Sequence, residues 1–305
     1  MSAATVAGIS PARAWILATR PATLPAAAVP VIVGAAAAVS DGASFRPWVF
    51  VATLICALLI QIGTNFANDY SDFRRGADNE GRLGPLRVTQ SELISQAAVQ
   101  RGIVVAFGLA LIPGASLVWI GGLPILLIGI LSVISGLAYT GGPFPFGYHG
   151  LGDLFVFIFF GLIAVTGTAY LQSGAWTLFP FLLSVPIGLI VTNVLVINNL
   201  RDRPTDIAAG KRTLATRLGD RATRAQYVTF LIIAYLVPVV IAVTDRKRLP
   251  LLATLLSLPL ALSLARRVMN GTSGRELNPM LKQTGQLLLL FGVLLSAGAL
   301  IGRSI

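Results

Sequence analysis

The sequence contains few charged side chains. Asp, Glu, Lys and Arg make up 11% of its 305 residues, whereas soluble globular proteins carry about 25%. Apolar residues reach 55%, and the mean hydropathy is +0.80. Such a chain cannot cover a water-facing surface with polar groups, and it is too apolar to remain disordered. We therefore expect a polytopic membrane protein.

Cysteine and histidine are almost absent. Cys56 and His149 are the single representatives of their residue types. One cysteine excludes an intramolecular disulfide framework, and the lack of a Cys/His cluster excludes an ordinary zinc or copper site. Any metal ion in this protein is therefore expected to have oxygen ligands.

Two long segments lack charge altogether: residues 102–152 and 154–200 contain no Asp, Glu, Lys or Arg. A membrane-spanning helix needs about 20 residues, so each segment must turn back once. The apolar runs show no strand-like alternation, which argues against a barrel. The sequence predicts an all-α, single-domain membrane protein, with nine transmembrane helices around a central cavity. They are expected at 21–40, 47–66, 102–120, 123–140, 154–172, 178–198, 227–244, 249–265 and 283–302.

The basic residues indicate an orientation. With a cytoplasmic N-terminus, 18 of the 23 Lys and Arg residues fall on the cytoplasmic side, as do ten of the twelve acids. This asymmetry follows the positive-inside rule. It explains the net charge of +11 without a nucleic-acid partner. We expect a multi-pass protein of the cell membrane, with the lipid bilayer as its partner and its functional loops at the cytoplasmic face.

Two polar clusters follow the second and the sixth predicted span. The first contains Asn68, Asp69 and Asp72, and the second contains Asn198 and Asp202, followed by Asp206. Each cluster has an Asn and an Asp four residues apart, and the two pairs are 130 residues apart in the sequence. This repeated Asn/Asp pattern predicts that both helix ends face one central cavity.

The residue types in these clusters predict a magnesium site. Carboxylate and amide oxygens are hard ligands that suit Mg²⁺, which usually binds one or two carboxylates together with phosphate oxygens of a substrate. Cations adjoin the acids and are expected to bind the remaining phosphate charge. These are Arg74, Arg75, Arg201, Lys211 and Arg212. The combination points to a phosphorylated lipid substrate.

At these clusters the sequence resembles the UbiA superfamily of intramembrane aromatic prenyltransferases. That family has an Asn-Asp-x-x-Asp motif after its second helix, here residues 68–72, and an Asp-x-x-x-Asp motif after its sixth, here residues 202–206. The resemblance covers essentially the whole chain. The wider superfamily often has a further Asp where this chain has Gly76, and Asp78 is not expected to be a direct metal ligand.

The resemblance implies a mechanism. Mg²⁺ would bind the diphosphate of a polyprenyl donor, an allylic cation would form, and an electron-rich aromatic ring would attack it. The catalytic residues implied are Asp69, Asp72, Asp202 and Asp206. The metal ligands implied are these four residues together with Asn68 and Asn198.

Further segments resemble one branch of the superfamily, the 1,4-dihydroxy-2-naphthoate polyprenyltransferases of menaquinone synthesis. These are residues 20–25, 84–90, 139–143 together with 148–152, and 212–219. In this branch the ring carboxylate leaves as CO₂, giving demethylmenaquinol. The candidate acceptor-binding residues are Arg20, Asn65, Tyr139 and His149.

Alternative interpretations stay open at this stage. Arg20 is equally explained as a positively charged membrane anchor, Tyr139 as an interfacial aromatic residue, and His149 as a structural residue of a short turn. The acceptor is alternatively another ring, such as 4-hydroxybenzoate or homogentisate. A transporter is a more remote alternative, because transporters usually place ionisable groups near the bilayer midplane, whereas both acidic clusters here lie at one face.

Overall fold

The computed structural model describes residues 9–76 and 83–303, and helices dominate both ranges. No strand occurs in these ranges, which confirms the all-α prediction there. Asp78 lies outside them. The main helices are α1 (Pro11–Ala18), α2 (Pro25–Ser40), α3 (Pro47–Arg74), α4 (Gln96–Ala138), α5 (Gly152–Ser173), α6 (Leu178–Ala208), α7 (Leu214–Thr244), α8 (Arg246–Met269) and α9 (Leu277–Arg303).

Several helices extend beyond the predicted spans. Helix α3 continues eight residues past position 66, and α6 continues ten residues past position 198. The span predictions stop where polar residues begin, but a helix needs only backbone hydrogen bonds and can project beyond the apolar region. As a result, both acidic motifs lie on regular helices. Pro204 lies inside α6 without ending it.

Helix length and composition limit the number of membrane crossings. Seven of the described helices are long and apolar enough to cross, or up to eight if the pair α1–α2, bent by 51°, is one span. Helix α4 counts once, although it has 43 residues and is interrupted at Gly122, where φ is 63° and ψ is −151°. Two crossings within α4 would make nine, and that number stays a prediction.

Contacts at the end remote from the acidic motifs join three connections, those between α2 and α3, between α5 and α6, and between α7 and α8. The Asp41 carboxylate accepts hydrogen bonds from Arg248 Nη2 at 3.0 Å and from Thr177 Oγ1 at 2.8 Å. The backbone N–H of Arg46 donates to Gln172 Oε1 at 2.8 Å. These side chains join the helix ends on that side. They thereby help to fix the helices that carry the acidic motifs at their other end.

Helices α5 and α6 approach each other at two glycines. A Cβ atom added at Gly161 would lie 2.5 Å from the Cα atom of Gly188. Close approach at small residues is a common way for membrane helices to pack. Gly161 also belongs to a π-helical segment, Phe157–Ile163, within which Phe159 and Phe160 line internal cavities.

We expect Gly161→Leu to destabilise the bundle, because the new side chain would meet the α6 backbone. Overpacking of this kind costs about 1–3 kcal/mol. Gly108→Leu is the matched control, since a Cβ atom there meets nothing within 4 Å. Thermal unfolding of the purified proteins in detergent measures the effect. Equal melting temperatures for the two variants would contradict the packing assignment.

Candidate active site

A polar cavity of about 450 Å³ lies where the acidic helix ends meet. Oxygen-bearing side chains from both motifs line it, namely Asn68, Asp72, Asn198, Asp202 and Asp206. The two clusters thus share one cavity, as their spacing predicts. Further parts of the wall come from the α1–α2 turn, residues 85–87, the end of α4, Tyr148 and Lys211.

Helix periodicity explains which motif residues reach this cavity. Residues four apart lie on one helix face, so Asn68 and Asp72 both face inwards. Asp69 lies about 100° further around α3. It is buried, with 2% of its surface exposed, and it is not among the cavity-lining residues. Its role as a metal ligand stays a prediction.

Asp72 accepts hydrogen bonds at both of its carboxylate oxygens. Its Oδ2 atom accepts a hydrogen bond from Arg87 Nη2 at 3.1 Å, and its Oδ1 atom accepts one from the Tyr148 hydroxyl at 2.5 Å. The Lys211 ammonium lies 3.5 Å from the same Oδ1 atom. Buried carboxylates need such partners, because an unpaired charge in a low-dielectric site is costly.

Lys211 connects the two motifs. Its Nζ atom is 3.5 Å from Asp72 Oδ1 and 3.9 Å from Asp206 Oδ1. The side chain is 12% exposed and lines the cavity. The predicted phosphate-binding cation therefore lies between carboxylates of both motifs.

Arg201 organises the second motif. It is 1% exposed, and its guanidinium makes a bidentate pair with Asp202 at 2.6 and 2.8 Å. It also donates to Asn198 Oδ1 at 2.8 Å and to Asn278 Oδ1 at 2.9 Å. Asn278 in turn donates to the Leu83 carbonyl at 2.9 Å. These contacts orient Asn198 and Asp202 and link them to the segment that follows α3.

The other predicted diphosphate-binding cations lie outside the cavity wall. Arg74, Arg75 and Arg212 are exposed and do not line the cavity. Arg74 donates to the Tyr70 hydroxyl at 3.3 Å, and Arg75 donates to the Gly142 carbonyl at 2.5 Å. Their binding of diphosphate stays a prediction.

Three of the four candidate acceptor-binding residues line the polar cavity: Arg20, Asn65 and Tyr139. Arg20 Nη2 donates to the Asn65 carbonyl at 3.3 Å, and Asn65 Nδ2 donates to the Thr19 carbonyl at 2.9 Å. His149 is placed elsewhere. Its ring stacks on Phe144 with the centroids 3.9 Å apart, and it lines neither this cavity nor the larger one described next.

A second, apolar cavity of about 770 Å³ adjoins the polar one. Helices α3, α4 and α5 supply most of its wall. Five residues line both cavities, which places them at the junction. They are Gln61, Thr64, Tyr139, Val156 and Phe160. A molecule with a charged head and a long apolar tail fits across this junction.

The donor set fits a magnesium ion that shares its ligands with phosphate. Within residues 9–76 and 83–303, no group of three or more His, Cys, Asp or Glu side chains is gathered as a metal cage. Mg²⁺ does not need such a cage, because phosphate oxygens and waters usually complete its octahedron. The oxygens of Asn68 and Asp72 on one wall, and of Asn198, Asp202 and Asp206 on the other, provide the protein's share.

Several site residues were missed by the sequence reasoning. Arg87 and Tyr148 both contact Asp72, and both belong to segments that resemble the naphthoate branch. Their residue types and positions were therefore available as a signal. Thr140, which donates to Asn68 Oδ1 at 2.9 Å, lies in such a segment as well. Asn278 lies 77 residues from Arg201, and no sequence pattern marks it.

The helical bundle and its two-motif polar cavity agree with comparisons to known proteins. The chain belongs to the UbiA prenyltransferase family, whose model matches residues 27–291. Among curated relatives, the 1,4-dihydroxy-2-naphthoate octaprenyltransferase of Mycobacterium tuberculosis is 39% identical over 292 residues, covering 94% of this chain and 96% of the relative.

A second relative and a solved structure extend the comparison. The 1,4-dihydroxy-2-naphthoate octaprenyltransferase of Escherichia coli is 37% identical over 303 residues, covering 97% of each chain. The structure of a UbiA homologue from Archaeoglobus fulgidus bound to GPP and Mg²⁺ matches with a TM-score of 0.67 at 14% identity. It covers 96% of this chain and 100% of that one. At this identity the match establishes the fold.

We expect Arg201→Leu to destabilise the protein, because Asp202 would keep a buried charge without its bidentate partner. Breaking a buried ion pair from one side costs about 3–5 kcal/mol. Arg101→Leu is the control, since Arg101 is exposed and its guanidinium donates to the Ala97 carbonyl of its own helix, at 3.3 Å. Thermal unfolding in detergent tests both. An unchanged melting temperature for Arg201→Leu would contradict the role of the network.

Proposed function

We propose that this chain transfers a polyprenyl group from polyprenyl diphosphate to 1,4-dihydroxy-2-naphthoate, with loss of diphosphate and CO₂, in menaquinone biosynthesis. The observation that carries the proposal is the junction of the two cavities. One holds the acidic and basic residues of both motifs, and the other is apolar and larger. The relatives at 37–39% identity, named for this reaction, support the choice of acceptor.

The polar cavity binds the diphosphate head. Asn68, Asp72, Asn198, Asp202 and Asp206 are the residues that would hold Mg²⁺, with Asp69 retained from the sequence prediction. When bound, Mg²⁺ neutralises negative charge on the diphosphate and thereby makes it a better leaving group. The Archaeoglobus homologue has the same fold and is bound to GPP and Mg²⁺, which supports this cofactor here.

The chain's cations stabilise the departing diphosphate. Lys211 reaches the cavity between Asp72 and Asp206, and Arg87, which donates to Asp72 and is 9% exposed, also lines it. When the allylic C–O bond breaks, its electron pair stays on diphosphate oxygen. Cations fixed beforehand in a low-dielectric site lower the free energy of that charge without reorganisation.

The apolar cavity accommodates the isoprenoid tail and excludes water. Because the diphosphate lies on one side of the junction and the tail on the other, the allylic carbon falls beside Tyr139, Val156 and Phe160. An aromatic face attracts a cation, so the rings of Tyr139 and Phe160 stabilise the allylic cation there. The absence of water protects it from hydrolysis.

The aromatic acceptor approaches the same carbon from the α1–α2 turn. Arg20 lines the polar cavity and is suited to bind the naphthoate carboxylate, because guanidinium and carboxylate match in geometry. The ring carbon that bears the carboxylate forms the new C–C bond with the allylic cation. The carboxylate then leaves as CO₂, and the electron pair of the broken bond returns to the ring.

The chain is a multi-pass membrane protein by its family and its apolar helices. We further propose the plasma membrane with the active site at the cytoplasmic face. The bias of Lys and Arg towards the loops around the polar cavity supports this orientation.

The reaction is tested with membranes that contain the protein, Mg²⁺, a polyprenyl diphosphate and one acceptor at a time. We expect prenylated naphthoate and released CO₂ with 1,4-dihydroxy-2-naphthoate, and little product with 4-hydroxybenzoate or homogentisate. Asp72→Asn and Asp202→Asn should each lower kcat/KM at least about 100-fold, because each removes a charged oxygen ligand that would hold Mg²⁺ against the diphosphate.

Glu276→Gln is the control for these two variants. Glu276 directly precedes α9, its carboxylate is exposed, and it does not line the cavity. The activity of Glu276→Gln should therefore equal that of the wild type. Full naphthoate prenylation by Asp72→Asn or Asp202→Asn would refute the site assignment. Preferred prenylation of another acid would refute the acceptor.

The tail cavity gives a second test of the function. Gly129 lines the apolar cavity, and a Cβ atom there meets nothing within 4 Å. We expect Gly129→Phe to fill part of the cavity and to lower kcat/KM for a long polyprenyl diphosphate more than for dimethylallyl diphosphate. Gly108→Phe, equally uncrowded but outside the cavity, should leave the ratio unchanged. An unchanged ratio for Gly129→Phe would place the tail elsewhere.

A further inference from the structure

Tyr148 touches the first acidic motif through its hydroxyl group. The hydroxyl donates a hydrogen bond to Asp72 Oδ1 at 2.5 Å, and the side chain lines the polar cavity. Arg87 bonds the other carboxylate oxygen of Asp72. A carboxylate offers about four lone-pair positions, so these two bonds fix its orientation and still leave room for a further ligand.

The ring of Tyr148 contacts cations that follow both motifs. Lys211 Nζ lies 4.4 Å from the ring centroid, and Arg75 Cζ lies 5.7 Å from it. Both distances are within the range of cation–π attraction, which reaches about 6 Å. The same ring therefore holds Lys211 near its two carboxylates, and it also contacts Arg75, which is exposed and does not line the cavity.

The backbone around Tyr148 is fixed from both sides. Its N–H donates to the Pro145 carbonyl at 2.8 Å, and its own carbonyl accepts from the Arg212 N–H at 2.9 Å. The preceding Gly147 packs on Tyr139 so closely that a Cβ atom there would lie 2.7 Å from the Tyr139 carbonyl oxygen. A side chain on a turn fixed in this way can orient the side chains that it contacts, here Asp72 and Lys211.

Diphosphate binding explains why an aromatic ring beside Lys211 is useful. In the structure the Lys211 ammonium is shared between Asp72 and Asp206. A bound diphosphate competes with the carboxylates for that cation. Asp72 must meanwhile keep the orientation in which it would hold Mg²⁺. A neutral aromatic ring can retain the ammonium during this exchange, because it attracts a cation without adding a competing negative charge.

We propose that Tyr148 is a positioning residue with two separable roles. Its hydroxyl orients Asp72 for the metal, and its ring positions Lys211 for the diphosphate. This inference rests on the proposed function only in requiring that the cavity bind a prenyl diphosphate. The identity of the aromatic acceptor does not enter it.

The two roles are separated by Tyr148→Phe, which keeps the ring, and Tyr148→Leu, which removes it. Binding of an unreactive prenyl thiodiphosphate to the purified protein is measured by calorimetry with and without Mg²⁺. For Tyr148→Phe we expect the Mg²⁺ concentration for half-maximal binding to rise about tenfold or more, with Mg²⁺-free binding unchanged. For Tyr148→Leu we expect Mg²⁺-free binding to weaken as well, by about three- to tenfold.

A third variant tests the link between the ring and Lys211. In a Lys211→Met background, Tyr148→Leu should weaken Mg²⁺-free binding by much less than in the wild type, because the main cation on the ring is gone. A purely structural role would instead give equal losses for the Phe and Leu variants. It would also give an undiminished loss in the Lys211→Met background.

Tyr170 provides the matched control at the opposite end of the bundle. It is also partly buried, its hydroxyl donates to the Gly121 carbonyl at 3.2 Å, and its ring stacks on Trp176 at 4.5 Å. Tyr170→Phe and Tyr170→Leu should leave thiodiphosphate binding and its Mg²⁺ dependence unchanged.

The outcomes distinguish this inference from the proposed function. If Tyr148→Phe has the Mg²⁺ dependence of the wild type, or if the losses of Tyr148→Leu and Lys211→Met simply add, the inference is overturned. A wild type that does not bind the thiodiphosphate overturns the function together with the inference. A wild type that binds it but does not prenylate naphthoate overturns the acceptor alone, and the Tyr148 variants then still decide the positioning role.

Discussion

The ammonium of Lys211 lies between carboxylates that belong to the two halves of the chain, 3.5 Å from Asp72 and 3.9 Å from Asp206. Two negatively charged helix ends would repel each other in a site with little water, and a cation between them removes that repulsion. Two other features maintain this arrangement. The ring of Tyr148 contacts Lys211 from a turn fixed by backbone hydrogen bonds, and Arg201 fixes Asn198 and Asp202 of the second motif. The site is thus held together by the same kind of contact, between cations and carboxylates, that it offers to a diphosphate.

The second constraint is the division of the interior by polarity. The charged side chains of both motifs are gathered at one end of the bundle, while the adjoining cavity between α3, α4 and α5 is apolar. Burying a charge without partners is costly, whereas burying an apolar tail is favourable. An amphiphilic substrate can therefore bind in only one direction. The junction, with Tyr139 and Phe160, fixes where its reactive carbon lies.

The sequence predicted much of this structure because its strongest signals are local. Charge-free runs and turn residues predict helices, and the four-residue spacing of Asn68 and Asp72 predicts a shared helix face. The fold and the meeting of the two motifs follow from these signals. Helix ends were less accurate, because the apolar run ends before the backbone hydrogen bonds do, as in α3 and α6.

The remaining site residues depend on tertiary contacts that no local pattern records. Asn278 reaches Arg201 from α9, across 77 positions of sequence. Arg74, Arg75 and Arg212 adjoin the motifs in sequence but do not line the cavity, since neighbouring residues on a helix or turn face different directions. His149 illustrates the same limit: a rare residue type in a plausible loop stacks on Phe144 instead of facing the cavity.

At Arg20 the chain has an unfavourable backbone conformation at a position whose side chain lines the site. Its φ of 51° is in the left-handed region, where a side chain costs about 1 kcal/mol or more and glycine costs much less. A glycine would relieve this strain and make the sharp turn between α1 and α2 easier to form. The chain instead keeps a long cationic side chain there, directed into the polar cavity. The first turn of the bundle is therefore a point at which the fold accepts a less stable backbone in order to present a charge.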